Sequence, residues 1–115
     1  MTKFTDLPKT ESCRLIDFEK VEIQCDSATK KCTLIVNGTA PCVNMRVDLI
    51  PRVYIMQPEY WGIEVVGCLS GGICLPALRP YVAIISLEGI TGTKGIEVIG
   101  ATRSEKRDVL PKKKG

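Results

Sequence analysis

Six cysteines, Cys13, Cys25, Cys32, Cys42, Cys68 and Cys74, are the residues of this 115-residue chain whose type and spacing could support chemistry. A thiolate is a nucleophile, a metal ligand and a redox centre, whereas a buried thiol is only a small hydrophobe. Spacing sorts four of the six into two local pairs. Cys25 and Cys32 flank the polar segment Asp26–Lys31 and both fall on the apolar side of their surroundings. A hairpin there would bring them face to face within disulfide reach. Cys68 and Cys74 flank Leu69-Ser70-Gly71-Gly72-Ile73, a stretch flexible enough to close a pair. Cys13 and Cys42 are left over, as a long-range pair or as free thiols. The first expectation for the set is reduced thiols absorbed in a β-rich core. Structural disulfides come second, each worth roughly 2–3 kcal/mol for loops this short. A thiol-based redox or metal site at Cys68 and Cys74 comes third, because the gaps between paired cysteines are wider than the C-x2-C spacing that zinc sites favour.

Other chemistry finds little support. The chain has no histidine, which removes the usual general base, the Ser-His and Cys-His dyads and the commonest metal ligand. Glu64 and Glu97 occupy two nearly identical segments, GIEVVG at Gly62–Gly67 and GIEVIG at Gly95–Gly100. As an acid–base pair they would have to be brought together, and nothing in the sequence does so. Both are expected on solvated strand faces, on strands that are not neighbours, since directly opposed carboxylates repel. Gly92 to Gly95 is read as a turn rather than a phosphate loop, because no helix follows it. Asn37-Gly38-Thr39 fits a glycosylation acceptor, and Asn37-Gly38 is equally a turn pair, which is the reading preferred here. No catalytic residue, metal or cofactor is expected.

The elements that would position these residues are strands. Val21, Ile23 and Cys25 alternate with charged and polar residues, and Cys32, Leu34 and Val36 resume the pattern up to Asn37-Gly38. Val43, Met45, Val47 and Leu49 form a further alternating run that Pro51 interrupts. Arg52–Gln57 continues extended and turns at Pro58. Trp61–Cys68 is the next strand, and Leu69–Pro80 is a connection with a short strand at Ile73–Leu75. Tyr81–Leu87 is apolar on both faces and is expected to be central and covered on both sides. Gly95–Gly100 is the last strand. About seven short strands, with no helical stripe, predict an all-β fold: an antiparallel β-sandwich of immunoglobulin-like or fibronectin-like architecture, with a small β-barrel as the alternative. Antiparallel pairing follows from connections too short to carry a crossover helix. Leu78-Arg79-Pro80-Tyr81-Val82 resembles, with contracted spacing, the Leu-Pro…Tyr approach to the sixth strand of fibronectin type III domains.

Residues 1–12, polar and broken by Pro8, are read as a flexible arm that Phe4 and Leu7 could pin to the body. Residues 13–101 form the single domain. Residues 102–115 are read as a flexible basic tail. The tail holds six basic and two acidic residues, net +4, against a formal +3 for the whole chain, which leaves the remainder at −1. A nearly neutral body lacks the footprint of a nucleic-acid binder. No apolar run is long enough to cross a membrane as a helix. The start carries no secretory signal, so the expected compartment is the cytoplasm, with secreted or periplasmic as the alternative if the chain is a trimmed mature form. The function expected is a non-catalytic protein-interaction or assembly module. Tyr54, Met56, Tyr60 and Trp61 are its candidate surface, and homo-oligomerisation through a sheet edge is considered. A secreted, disulfide-stabilised adhesion-like domain is the other alternative. Because neighbours on a strand point to opposite faces, one of Tyr60 and Trp61 must face the core.

Overall fold

A computed structural model describes residues 11–109. The expectations for Phe4 and Leu7, and for the three lysines after Pro111, lie outside the described residues. Among the described residues eight strands form two packed sheets: β1 (Glu11–Leu15), β2 (Lys20–Cys25), β3 (Cys32–Cys42), β4 (Arg46–Pro51), β5 (Tyr60–Ser70), β6 (Pro76–Ser86), β7 (Gly95–Ile99) and β8 (Ser104–Asp108). Alternation makes them. In β3 the even-numbered residues from Leu34 to Cys42 are buried and the odd ones only partly so, the period-two signature of a strand with one face on a core. The fold is an all-β sandwich.

The larger sheet is built on β5. On one side β5 carries β4, paired from Arg46↔Cys68 to Pro51↔Ile63. Its other side serves two strands end to end. β7 pairs with Tyr60–Glu64 and β1 with Val66–Ser70. β8 then pairs antiparallel with β7. The smaller sheet is β2-β3-β6, antiparallel throughout. Between the sheets Ile63, Val65, Ile96 and Val98 of one meet Leu34, Val36 and Ala40 of the other, all with no exposed surface. Met45 and Phe18 are buried in the same core.

Several expectations are corrected. β5 and β7 run parallel, because the chain leaves the larger sheet through β6 of the smaller one and returns. A strand in the opposite layer makes the crossover that a helix would otherwise make. The twin segments are therefore neighbours after all. Their pairing is slipped by two residues, so that Glu97 lies opposite Gly62 and Glu64 opposite Ile99. The like charges are thus diagonal rather than opposed. Asn37-Gly38 does not turn but lies within β3, paired with Val82 and Tyr81. The supposed connection Leu69–Pro80 shrinks to Gly71–Leu75, with β5 ending at Ser70 and β6 starting at Pro76. The tail from Thr102 supplies β8, and the arm contributes Glu11 and Ser12 to β1. β6, expected at the centre of a sheet, lies at an edge.

The sheets are tied across their ends by polar contacts. The Tyr81 hydroxyl donates to the Asp17 carbonyl at 2.9 Å, and burial pushes its pKa up to about 12, so it stays a neutral donor. The Asp17 carboxylate accepts from the Thr102 N–H at 2.8 Å and from its hydroxyl at 2.7 Å. The Arg103 guanidinium lies over the Phe18 ring at 4.2 Å and donates to the Phe18 carbonyl.

Candidate interaction surface

All six cysteines are paired. Cys13 bonds to Cys68, Cys25 to Cys32 and Cys42 to Cys74. Two of these bridges join residues directly opposite each other in a strand pair, Cys13↔Cys68 and Cys25↔Cys32. The expected pairing of Cys68 with Cys74 is corrected, and so is the first expectation of reduced thiols. Cys68 lies well inside β5, with its neighbour β1 presenting Cys13 across the ladder. Cys74 sits beyond the Gly71-Gly72 turn and meets Cys42 at the end of β3. The segment before β6 is pinned further by Asn44, whose amide donates to the Ile73 carbonyl and accepts from the Leu75 N–H. With their sulfurs bonded to different partners, Cys68 and Cys74 do not form a dithiol.

The four aromatic and methionine candidates separate into a support and a tip. Trp61 shares the inward face of β5 with Ile63 and packs on the core rim. Its indole N–H donates to the Arg52 carbonyl at 2.9 Å. Tyr54 meets it edge-on, with ring centroids 5.1 Å apart and planes at 78°, a favoured geometry for aromatic pairs. The Tyr54 hydroxyl accepts the Gly62 N–H at 3.1 Å. A Cβ at Gly62 would meet that hydroxyl at 2.9 Å and the Arg52 Cδ at 3.0 Å, so this glycine lets the loop lie against the sheet. Tyr60 is the member of the pair that faces outward. Its hydroxyl donates to Asp108 at 2.7 Å, and the Lys106 ammonium stands 5.1 Å from its ring centroid. The Asp108 carboxylate raises the Tyr60 pKa above its ordinary value.

The loop between β4 and β5 is therefore anchored at Arg52, Tyr54 and Gln57, the last donating to the Thr91 carbonyl at 2.8 Å. Arg52 also pairs with Glu64 at 3.0 Å, and this carboxylate holds the guanidinium pKa above its usual value. Between the anchors the tip is bare. Val53, Ile55 and Met56 are 94%, 102% and 80% exposed. Met56 is legible in the sequence as a candidate, whereas Val53 and Ile55 join it only in the structure. Their signal was present in the run Val53-Tyr54-Ile55-Met56, in which only Tyr54 has a place to be buried.

At the same end of the sandwich lies an open groove of about 700 Å³ between the Asp26–Lys31 hairpin and the Leu87–Thr91 loop. Three of its charged groups are already engaged. Lys31 faces Glu88 at 3.8 Å, and the Asp26 carboxylate caps the Ala28 N–H. Glu64 and Glu97 share the outer face of the larger sheet but have different neighbours: Glu64 pairs with Arg52, and Glu97 stands opposite Lys106 in the β7–β8 ladder. Among the described residues no cluster of three or more potential metal ligands is found, and no helix is long and apolar enough to cross a membrane. Comparison of the chain with protein-family models, with curated proteins and with solved structures returned no match.

Proposed function

We propose that the chain is a non-catalytic binding domain of an oxidising compartment, which engages a protein partner through the apolar tip Val53–Met56. The carrying observation is the contrast between the anchored base of this loop and its uncovered tip. A mobile loop could expose apolar residues by chance of conformation. Here Tyr54, Trp61, Arg52 and Gln57 hold the backbone, so the exposure of Val53, Ile55 and Met56 is built in. Preorganised apolar side chains gain on binding because little ordering entropy remains to be lost, and Met adapts its shape to a partner.

The compartment reading turns away from the cytoplasm. Three disulfides support an oxidising environment, where such bonds form and persist. They also favour the disulfide-stabilised, adhesion-like alternative over a thiol-based redox or metal role at Cys68 and Cys74.

The test is photo-crosslinking from position Ile55 in native material. We expect one specific protein adduct, lost when Met56→Asp is introduced beside the crosslinker. No adduct from any oxidising fraction would overturn the tip as the binding surface. Thiol titration checks the compartment: native protein denatured without reductant is expected to show no reactive cysteine, and six reactive thiols would return the chain to a reducing compartment.

A further inference from the structure

Among the described residues, strands β1, β2, β4, β6 and β8 each leave one side of a sheet unpaired. Open edges invite unwanted pairing, and charged side chains are a common guard. Four of the five carry that guard. β1 has Arg14, β2 has Lys20 and Glu22, β4 has Arg46 and Asp48, and β8 has Glu105, Lys106, Arg107 and Asp108. β6 has only Arg79. That guanidinium is turned aside onto the carbonyls of Val43, at 3.0 Å, and Met45.

The phase of the ladder shows what the open side of β6 offers. The Leu87 N–H donates to the Cys32 carbonyl at 2.9 Å, one step beyond the pair Thr33↔Ser86. Hydrogen-bonded and non-hydrogen-bonded pairs alternate along an antiparallel ladder. Tyr81, Ala83 and Ile85 therefore bond inward to β3, while Pro80, Val82, Ile84 and Ser86 turn their backbone groups outward. Pro80 sits where its missing N–H costs no ladder bond. The side chains of the same residues, with Leu78, form an uncharged stripe on the outer face. Leu78, Val82 and Ile84 are 75%, 65% and 63% exposed.

We propose that β6 is a self-association strand, paired antiparallel with β6 of a second copy of this chain. The two-fold axis passes at Ala83, so that Val82 of each copy lies opposite Ile84 of the other. This register joins the two three-stranded sheets into one. It pairs residues that all have an N–H at its centre and leaves Pro80 near the ends, opposite Ser86. A register centred on Val82 would instead place donor-less Pro80 against Ile84. Uncharged, β-branched partners meet like partners, with no charge buried or opposed. The association is closed, because among the described residues each copy has one such edge and the other four are guarded. It uses neither the Val53–Met56 tip nor its partner, so either reading can fail alone.

Sedimentation of the oxidised full chain from micromolar to about 1 mM tests it. We expect a concentration-dependent dimer, with Val82 and Ile84 amides gaining exchange protection as it forms. Val82→Lys is expected to weaken association by about tenfold or more, without loss of fold because the side chain is exposed; thermal unfolding checks that. Val82→Lys combined with Ile84→Glu places opposite charges across the proposed register. It is expected to restore the dimer and make it salt-sensitive. A chain that stays monomeric throughout, an undiminished dimer in Val82→Lys, or a double variant that remains dissociated would each overturn the proposal.

Discussion

Gly62–Gly67 and Gly95–Gly100 differ by one methylene in six residues, yet the fold uses them differently. Inward they do the same work: Ile63 and Val65, like Ile96 and Val98, are completely buried and face the smaller sheet. Outward they diverge. Glu64 is held by Arg52, and the β4–β5 loop lies over Gly62. Glu97 faces Lys106 on β8. Their first glycines answer to different neighbours, Gly62 to the side chains of Tyr54 and Arg52, Gly95 to the backbone of β8. Their exits differ most. The first segment runs on to Cys68 and is bonded to Cys13 of β1. The second ends at Gly100, and the chain beyond it is tied to Asp17, just past β1, through Thr102. The teaching is that core-facing letters specify a strand, while what surrounds the strand is set by residues elsewhere in the chain.

The covalent exit tie should carry the largest effect. Replacing Cys13 and Cys68 together by alanine opens a link between residues 55 positions apart. Loop-closure entropy for that span corresponds to about 4 kcal/mol. Denaturant unfolding of the oxidised variant against the parent measures it, and a loss below about 1 kcal/mol would mean that β1 is held by its ladder alone. Next come the glycines. A Cβ at Gly95 would run into the Arg107 carbonyl, which belongs to paired backbone and cannot yield without moving β8. Gly95→Ala should cost about 2–3 kcal/mol, at the upper end for overpacking. Gly62→Ala meets side-chain atoms of Tyr54, Arg52 and Ile99 instead of backbone, and about 1 kcal/mol is expected. Equal losses at the two sites would break the distinction between a glycine that admits a strand and one that admits a loop.

What was legible in the sequence was whatever depends on alternation. Val21 and Ile23, Leu34 and Val36, Ile63 and Val65 all face inward as their spacing says, and the all-β sandwich follows. What was not legible depends on which strands meet. The pairing of Cys68 follows from β1 lying beside the second half of β5, a contact that local spacing cannot encode, whereas Cys25 and Cys32 lie in one hairpin and are readable from it. The parallel pairing of the twins is hidden because its crossover is made by a strand. Tyr81–Leu87 misleads in a third way. Apolarity on both faces normally marks a strand covered on both sides, but only its Tyr81–Ala83 face is buried here. On the candidate surface, Met56 and the opposite orientations of Tyr60 and Trp61 could be read from sequence, but the anchoring of Tyr54 over Gly62, which leaves Val53 and Ile55 bare, could not.

The outward carboxylates give a smaller contrast. Arg52 and Glu64 keep roughly half and a third of their side-chain surface in water, so screening limits the worth of their pair to about 0–1 kcal/mol. Glu64→Gln should fall in that range and also loosen the loop base, visible as faster hydrogen exchange at the Gly62 amide. Glu97→Gln should change stability by less than about 0.5 kcal/mol. A reversal of that order would show that Lys106, not Arg52, is the stronger partner.

The second exit tie differs from the first in what can undo it: protons rather than reductant. The Thr102 N–H and hydroxyl bonded to Asp17 hold its carboxyl below the usual carboxylate range, the backbone bond contributing most. Because the folded pKa is depressed, the stabilisation is fully present above the unfolded value of about 3.9. It is lost as pH falls from there through the folded pKa. Asp17→Asn keeps a carbonyl acceptor but removes the charge, so stability should drop modestly at neutral pH and its dependence on pH below about 4 should flatten. The group is fully exposed, so the effect is the smallest of the set. Thermal unfolding of parent and variant at stepped pH, with the disulfides intact, reads it directly. Parallel curves for the two proteins across the acid range would show that the Asp17–Thr102 tie contributes nothing to closing the second segment, leaving the ladder with β8 to do so alone.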